Sequence, residues 1–210
     1  MMKTITGAIL ATSAFLIISC ATPRDIRTLN NVADVVENLK KKPSGEDIAR
    51  LLESAENGNR EVRAESVYAL MSFVKSISND TPYFDKATRI VLRLAEFDSD
   101  FNVRTMAMHA IGVFRPDKAA ALPVITKGLS DVARPVLIEA TKIAAVYRDD
   151  TLIVPLLVNL KTTGRWLKME TIRTLALYKD KRVDAAFLQI KNTDEDTGIL
   201  AVLSESMAQR

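Results

Sequence analysis

The chain repeats one short pattern four times, and that repetition restricts its fold more than any other feature. Val62-Arg63 is followed by Ala69-Leu70, Val103-Arg104 by Ala110-Ile111, Ala133-Arg134 by Ala140-Thr141, and Leu167-Lys168 by Thr174-Leu175. Each time an aliphatic residue precedes a base, and a small residue stands seven positions beyond it. The bases at 63, 104, 134 and 168 are 41, 30 and 34 residues apart. Periods of this length mark a chain built from stacked supersecondary units. Each repeat predicts a helix, and a shorter helix precedes each: Glu46–Ala55, Asp85–Phe97, Lys118–Leu129 and Leu152–Leu160. A further pair, Arg182–Lys191 and Thr197–Ala208, closes the chain with a weaker match. Breakers such as Asn57-Gly58-Asn59, Asp98-Ser99-Asp100 and Thr163-Gly164 fall between helices, and no segment alternates with period two.

A single helical hairpin leaves an apolar face uncovered, so neighbours must stack to bury it. The expected fold is therefore all-α. It is a right-handed α-solenoid of about five hairpins over residues 44–210, roughly 45 Å long at about 9 Å per layer. Its second helices would line a concave face. Ahead of it, Ile26, Leu29, Val32, Val36 and Leu39 space one amphipathic helix within residues 20–43, a cap or spacer ended by Pro43-Ser44-Gly45. Leu122-Pro123-Val124-Ile125, running on to Leu129, Asp131 and Arg134, resembles the HEAT-like repeats of the phycobilin-lyase type, and Val154-Pro155-Leu156-Leu157 shows the same first-helix pattern. Two departures stand out: Trp166-Leu167-Lys168 replaces the usual Val-Arg, and Pro135 follows Arg134. Proline is tolerated in a first helical turn, so the second need not break a helix. The resemblance implies a fold and no particular function, because this repeat hosts many roles.

The N-terminus has its own logic. Lys3 gives a short positive start, residues 4–18 carry no charge, and Ser19-Cys20 follows. This is the layout of an export signal over residues 1–19. Fifteen helical residues reach about 22 Å, short of the roughly 30 Å of a bilayer core. Leu16-Ile17-Ile18-Ser19-Cys20 resembles the lipobox of bacterial lipoproteins. The resemblance implies cleavage before Cys20 and a thioether-linked diacylglycerol on its thiol, with the membrane as one partner. An ordinary signal peptide with a chance cysteine is the alternative. Ala21, where an Asp would favour inner-membrane retention, points to the outer membrane.

The net charge of +3 is small and evenly spread, which argues against a nucleic-acid partner. Cys20 is the only cysteine, so no internal disulfide forms, and His109 is the only histidine. A Cys–His or Ser–His–Asp set has too few members, and a HEAT-type metal hydroxylase would need several His–Glu pairs. No cofactor or metal is expected. The bases Arg63, Arg104, Arg134 and Lys168 could grip phosphate or acidic ligands. The favoured reading is structural, with Asp100 tying Arg104 and Asp131 tying Arg134 within each turn.

In repeat register, Tyr68, His109, Glu139 and Arg173 share one position on successive second helices. Three residues earlier stand Glu65, Met106, Val136 and Glu170, and four later Ser72, Val113, Ile143 and Leu177, a half-buried row. Tyr68, His109, Glu139, Arg173, Glu65 and Met106 are the candidate contacts for another envelope protein on a lipid-anchored, non-catalytic scaffold. A solvated helix face is the plain alternative. A small-ligand carrier or lyase-like enzyme with a groove site, and a purely structural envelope component, remain as other readings.

Overall fold

Polar N-caps start most of the helices in this chain: Ser44, Asn59, Asp100, Asp117, Asp149, Asp180 and Asp196 each stand just before one. The computed structural model describes residues 29–41, 44–74, 82–161 and 164–210. Eleven α-helices and one short 3-10 turn account for the regular structure, and there is no strand among the described residues. Cys20 and the export signal expected at residues 1–19 lie outside them.

In chain order the helices are α1 (Leu29–Lys41), α2 (Gly45–Asn57), α3 (Arg60–Ser72), α4 (Pro82–Phe97), α5 (Phe101–Phe114) and α6 (Lys118–Gly128). They continue with α7 (Arg134–Tyr147), α8 (Ile153–Asn159, led by the 3-10 turn Asp150–Leu152), α9 (Arg165–Leu175), α10 (Lys181–Thr193) and α11 (Thr197–Ala208). The caps explain the starts. The Ser44 hydroxyl accepts from the Asp47 amide at 3.1 Å, Asn59 from Val62 at 2.9 Å and Asp100 from Asn102 at 2.8 Å. Each fills a donor that a helix N-terminus leaves open. Pro135 sits in the first turn of α7, where its missing amide costs nothing. The helices α5 and α7 stop at Arg115 and Arg148, both left-handed at φ 50° and 47°, a conformation that usually calls for glycine.

The helices pair as hairpins: α2 with α3, α4 with α5, α6 with α7, α8 with α9, and α10 with α11. Second helices then pack in order, α3 on α5, α5 on α7, α7 on α9 and α9 on α11. First helices pack less closely, as α2 on α4, α4 on α6 and α8 on α10. The α1 helix lies on α2 and α3 and buries Val32 and Val35 there. The core is continuous and mostly aliphatic, and Ala69, Ala107, Ala110, Ala140 and Ala144 of the second helices are buried in it. At Gly112 the helices α5 and α7 approach closely, since a Cβ there would stand 2.5 Å from Ile143 Cδ1 on α7.

The bases of the repeat tie hairpin to hairpin rather than closing their own turns. Arg63 donates from Nε and Nη2 to Asp98 at 2.7 and 2.8 Å, and Arg104 makes the same fork to Asp131 at 2.7 and 2.9 Å. Lys168 reaches Asp194 at 2.9 Å. Each acceptor also takes the amide two residues on, from Asp100, Ala133 and Asp196. The expected pairs of Asp100 with Arg104 and Asp131 with Arg134 are therefore corrected: Asp100 caps α5, and Asp131 serves the base of the preceding hairpin. The reason is geometric, because a base in a first helical turn points along the stacking direction and the neighbouring turn is nearer than its own. The third hairpin has no such base: Leu137 stands four residues after the α7 cap, where Arg63, Arg104 and Lys168 stand after theirs. Arg134 is the first residue of α7, and its guanidinium lies over Gly164, about van der Waals distance from where a Cβ would stand (3.4 Å).

Replacing Arg104 with Met should cost about 2 kcal/mol, read from urea unfolding, because it strands a half-buried carboxylate. A loss below about 0.5 kcal/mol would reduce the rung to an ordinary surface pair. Acid should weaken the same bonds. Burial raises the Asp98 and Asp131 carboxyls, but the Arg63 and Arg104 forks and the turn amides more than offset it, and both end below their ordinary range. A depressed carboxyl stabilises the fold above its unfolded value and loses that contribution as pH falls. The unfolding midpoint should therefore drop as pH falls below about 4, and Asp98→Asn with Asp131→Asn should flatten that dependence. An unchanged slope in the double variant would place the acid sensitivity elsewhere.

Candidate functional site

Along each second helix one face packs on its neighbours and its own first helix, and a narrow strip is left to solvent. On α3 the buried positions Val62, Ser66, Val67, Ala69 and Leu70 leave Glu65, Tyr68 and Ser72 exposed. Helix periodicity puts residues three and four apart on one face, so these three form a strip. On α5 the strip is Met106, His109 and Val113, with Met106 half-buried, and on α9 it is Glu170, Arg173 and Leu177, with Glu170 half-buried.

On α7 the strip is Glu139, Lys142 and Val146, with Glu139 half-buried. The expected register is corrected here by three residues: α5 and α7 run between matching caps, Asp100 and Arg115 against Ala133 and Arg148, so Glu139 stands where Met106 does and Lys142 where His109 does. Val136 and Ile143 are core, and Ile143 packs against Gly112 of α5. The row of Ser72, Val113, Ile143 and Leu177, expected to be half-buried, is thereby corrected. Ile143 is core and the other three are exposed.

The structure brings some of these side chains together and leaves others apart. His109 Nδ1 lies 3.2 Å from Glu139 Oε2 of the next second helix, and Lys142 Nζ donates to Glu139 Oε1 at 2.7 Å. Arg173 pairs within its own helix with Glu170 at 3.6 Å. Tyr68 stands 53% exposed at the far end, its ring in solvent, with the Ser72 hydroxyl donating to its carbonyl at 3.2 Å. The strip is therefore aromatic and acidic at α3, linked by a bridging carboxylate between α5 and α7, and basic at α9. A carboxylate-held imidazole can act as a base, and this one lies on an open face. The strip presents hydrogen-bonding and ionic groups beside exposed apolar side chains.

Clefts also open on the surface. One, about 700 Å³, lies between α4, the end of α5 and the turn that follows. The Phe84 and Phe114 rings meet at 5.7 Å in its wall, and Thr88, Arg89 and Arg115 reach its rim. The Thr88 hydroxyl is buried and has no hydrogen-bond partner among the described residues. Two smaller clefts, about 270 and 280 Å³, flank Glu56 and Arg93, one of them reaching the Arg63–Asp98 rung. No group of three or more metal-binding side chains occurs among the described residues.

Sequence reasoning missed a second exposed set. Phe97, Phe101, Val132 and Trp166 all stand in solvent at the turns between first and second helices. Only Trp166 carried a signal, as a departure from the repeat pattern.

The second-helix strip should be spare for the fold. Tyr68→Ala, Glu139→Ala and Arg173→Ala should each stay within about 1 kcal/mol of the parent in chemical unfolding, since exposed pairs contribute little. A larger loss at any of them would make that residue structural. No family model matches this chain, and no curated protein was found to be similar to it.

Proposed function

We propose that this chain is a lipid-anchored protein of the cell envelope, exported by residues 1–19 and lipidated on Cys20, facing the outer membrane rather than the inner. In this reading its hairpins form a right-handed HEAT-type solenoid, and it holds another envelope protein against the exposed face of its second helices. The in-order packing of α3, α5, α7, α9 and α11 supports the solenoid reading. The observation that carries the function is the strip itself: Tyr68, His109, Glu139 and Arg173 stand on four consecutive second helices and mix aromatic, apolar and charged groups. Partner surfaces have this character, with aromatic and arginine side chains contributing most of the energy. A strip crossing four helices at about 9 Å each reaches roughly 27 Å, enough for one side of a standard interface.

The large cleft beside Phe84 and Phe114 favours a second reading, a carrier for a small molecule. Its volume of about 700 Å³ falls within the ordinary range of ligand sites.

Affinity capture of the tagged full chain from mildly solubilised membranes should bring down one reproducible partner. Tyr68→Ala combined with Arg173→Ala should cut its recovery roughly tenfold or more without moving the unfolding midpoint. Cys20→Ala should release the chain from the membrane fraction. Capture that the double variant leaves intact would remove the second-helix face as the surface. A clean chain with no partner would shift the assignment to the cleft and a small ligand.

A further inference from the structure

The turns between first and second helices lie side by side along one edge of the molecule. Arg104 of the second hairpin bonds the turn of the third, and Asn159 at the end of α8 donates to the Leu129 carbonyl of that same turn at 3.2 Å. This edge exposes apolar side chains in three consecutive turns: Phe97 at 66% and Phe101 at 43%, then Val132 at 98%, then Trp166 at 70%. Single exposed apolar residues need no explanation, but an aligned set is a patch.

Where this edge carries the apolar side chains, its acids are engaged and two of its bases are not. Asp98 and Asp131 are taken up by the bases of the rungs, Asp100 caps its helix, and Asp196 is held by Arg165 at 2.8 Å. Lys127 lies over the Phe97 ring at 4.1 Å. Arg134 and Lys161 are exposed and form no ion pair among the described residues, so the free charge between Val132 and Trp166 is positive. Large apolar side chains that include a tryptophan, interleaved with free bases, suit one environment above others: the interface of a bilayer with anionic headgroups. Tryptophan settles at headgroup depth, and nearby bases meet the lipid phosphates.

We infer that this turn edge, through Phe97, Phe101, Val132 and Trp166 with Arg134 and Lys161, rests on the anionic lipid surface to which the chain is anchored. The inference depends on the envelope-anchored reading above. It adds an orientation: the hairpins lie with their turn edge on the membrane and their second-helix strip turned to the side.

Trp166 is the only tryptophan, so its fluorescence reports this edge alone. The full chain is reconstituted into vesicles whose acyl chains carry bromine near the headgroups, with phosphatidylglycerol in one set and phosphatidylcholine alone in the other. Flotation of the vesicles reads anchoring, and quenching of Trp166 reads the edge. The expected result is co-flotation with strong quenching in the anionic set and weak quenching in the neutral one. Arg134→Glu with Lys161→Glu should keep co-flotation and lower the quenched-to-unquenched ratio at least fivefold, about the factor expected for each base near an anionic surface. A chain that floats with an unquenched Trp166 overturns the edge proposal and leaves anchoring standing. A chain that neither floats nor is quenched overturns both. Capture of a partner protein by a crosslinker at position 132, with Trp166 unquenched, would assign the edge to that protein and overturn the lipid assignment.

Discussion

Arg104 leaves its own helix to fork onto Asp131, and Asp131 at the same time holds the amide of Ala133. That one carboxylate joins three things: the start of a second helix, the turn before it, and the helix of the preceding hairpin. Arg63 with Asp98 and Lys168 with Asp194 repeat the arrangement. A fork between ionised groups is directional, so it sets the rotation of one hairpin on the next as well as the distance. Helix packing already favours a small set of angles between the hairpins, and the forks add a directional constraint to it. The exposed strip and the exposed edge both depend on that angle, since each is made of residues from separate hairpins. The rungs therefore do more for surface geometry than for raw stability, where a charged hydrogen bond adds only about 1.5–3 kcal/mol.

The ladder misses one rung, and the neighbourhood of the gap differs accordingly. Between the third and fourth hairpins α7 carries Leu137 at the rung position, α8 is only seven residues long, and the close first-helix contacts run α2–α4, α4–α6 and α8–α10. Buried neutral hydrogen bonds take over there. Thr174 Oγ1 donates to the Thr141 carbonyl at 3.2 Å, Tyr178 OH to Ala144 at 2.9 Å, and Asn159 to Leu129 at 3.2 Å. Burial holds the Tyr178 hydroxyl well above its ordinary pKa, as it does for Tyr147, which is pushed up to about 12 and donates to the Pro116 carbonyl. Both phenols thus remain donors throughout the physiological range. Arg134, exposed at the start of α7 and in no ion pair among the described residues, adds positive charge to the edge.

Most of the helix boundaries could be read from sequence because the determinants are local. Thr197–Ala208 and the start at Lys118 agree with expectation, and the Asn59 and Asp100 turns mark where α3 and α5 begin. What could not be read was set by neighbours at irregular distances. The rung partners are 35, 27 and 26 residues apart, so no fixed spacing points to them, while Asp100 and Arg104 present a tempting spacing of four. The register of α7 was misread because its Ala133-Arg134 mimics the Val-Arg of the repeat three residues too early, which put Glu139 where Lys142 stands. The bonding within the strip was not legible either. Nothing in the spacing of His109 and Glu139 announces that they meet, because their contact exists only once α5 and α7 are stacked.

Stacked hairpins separate the tasks of a chain in a useful way. Each hairpin contacts mainly its neighbours, and the residues that stack are the buried core side chains, the rungs and the buried hydrogen bonds between hairpins. The exposed positions of the second helices and turns stand outside that set. Tyr68 and Arg173 on the strip, and Val132 and Trp166 on the edge, occupy such open positions, and all four are exposed. Large side chains exposed where small polar ones would fold as well are left without a structural reason. Two surfaces of this kind on one body, one mixed in charge and one apolar and basic, fit a molecule that meets two different environments at once: a protein to the side and a lipid surface beneath.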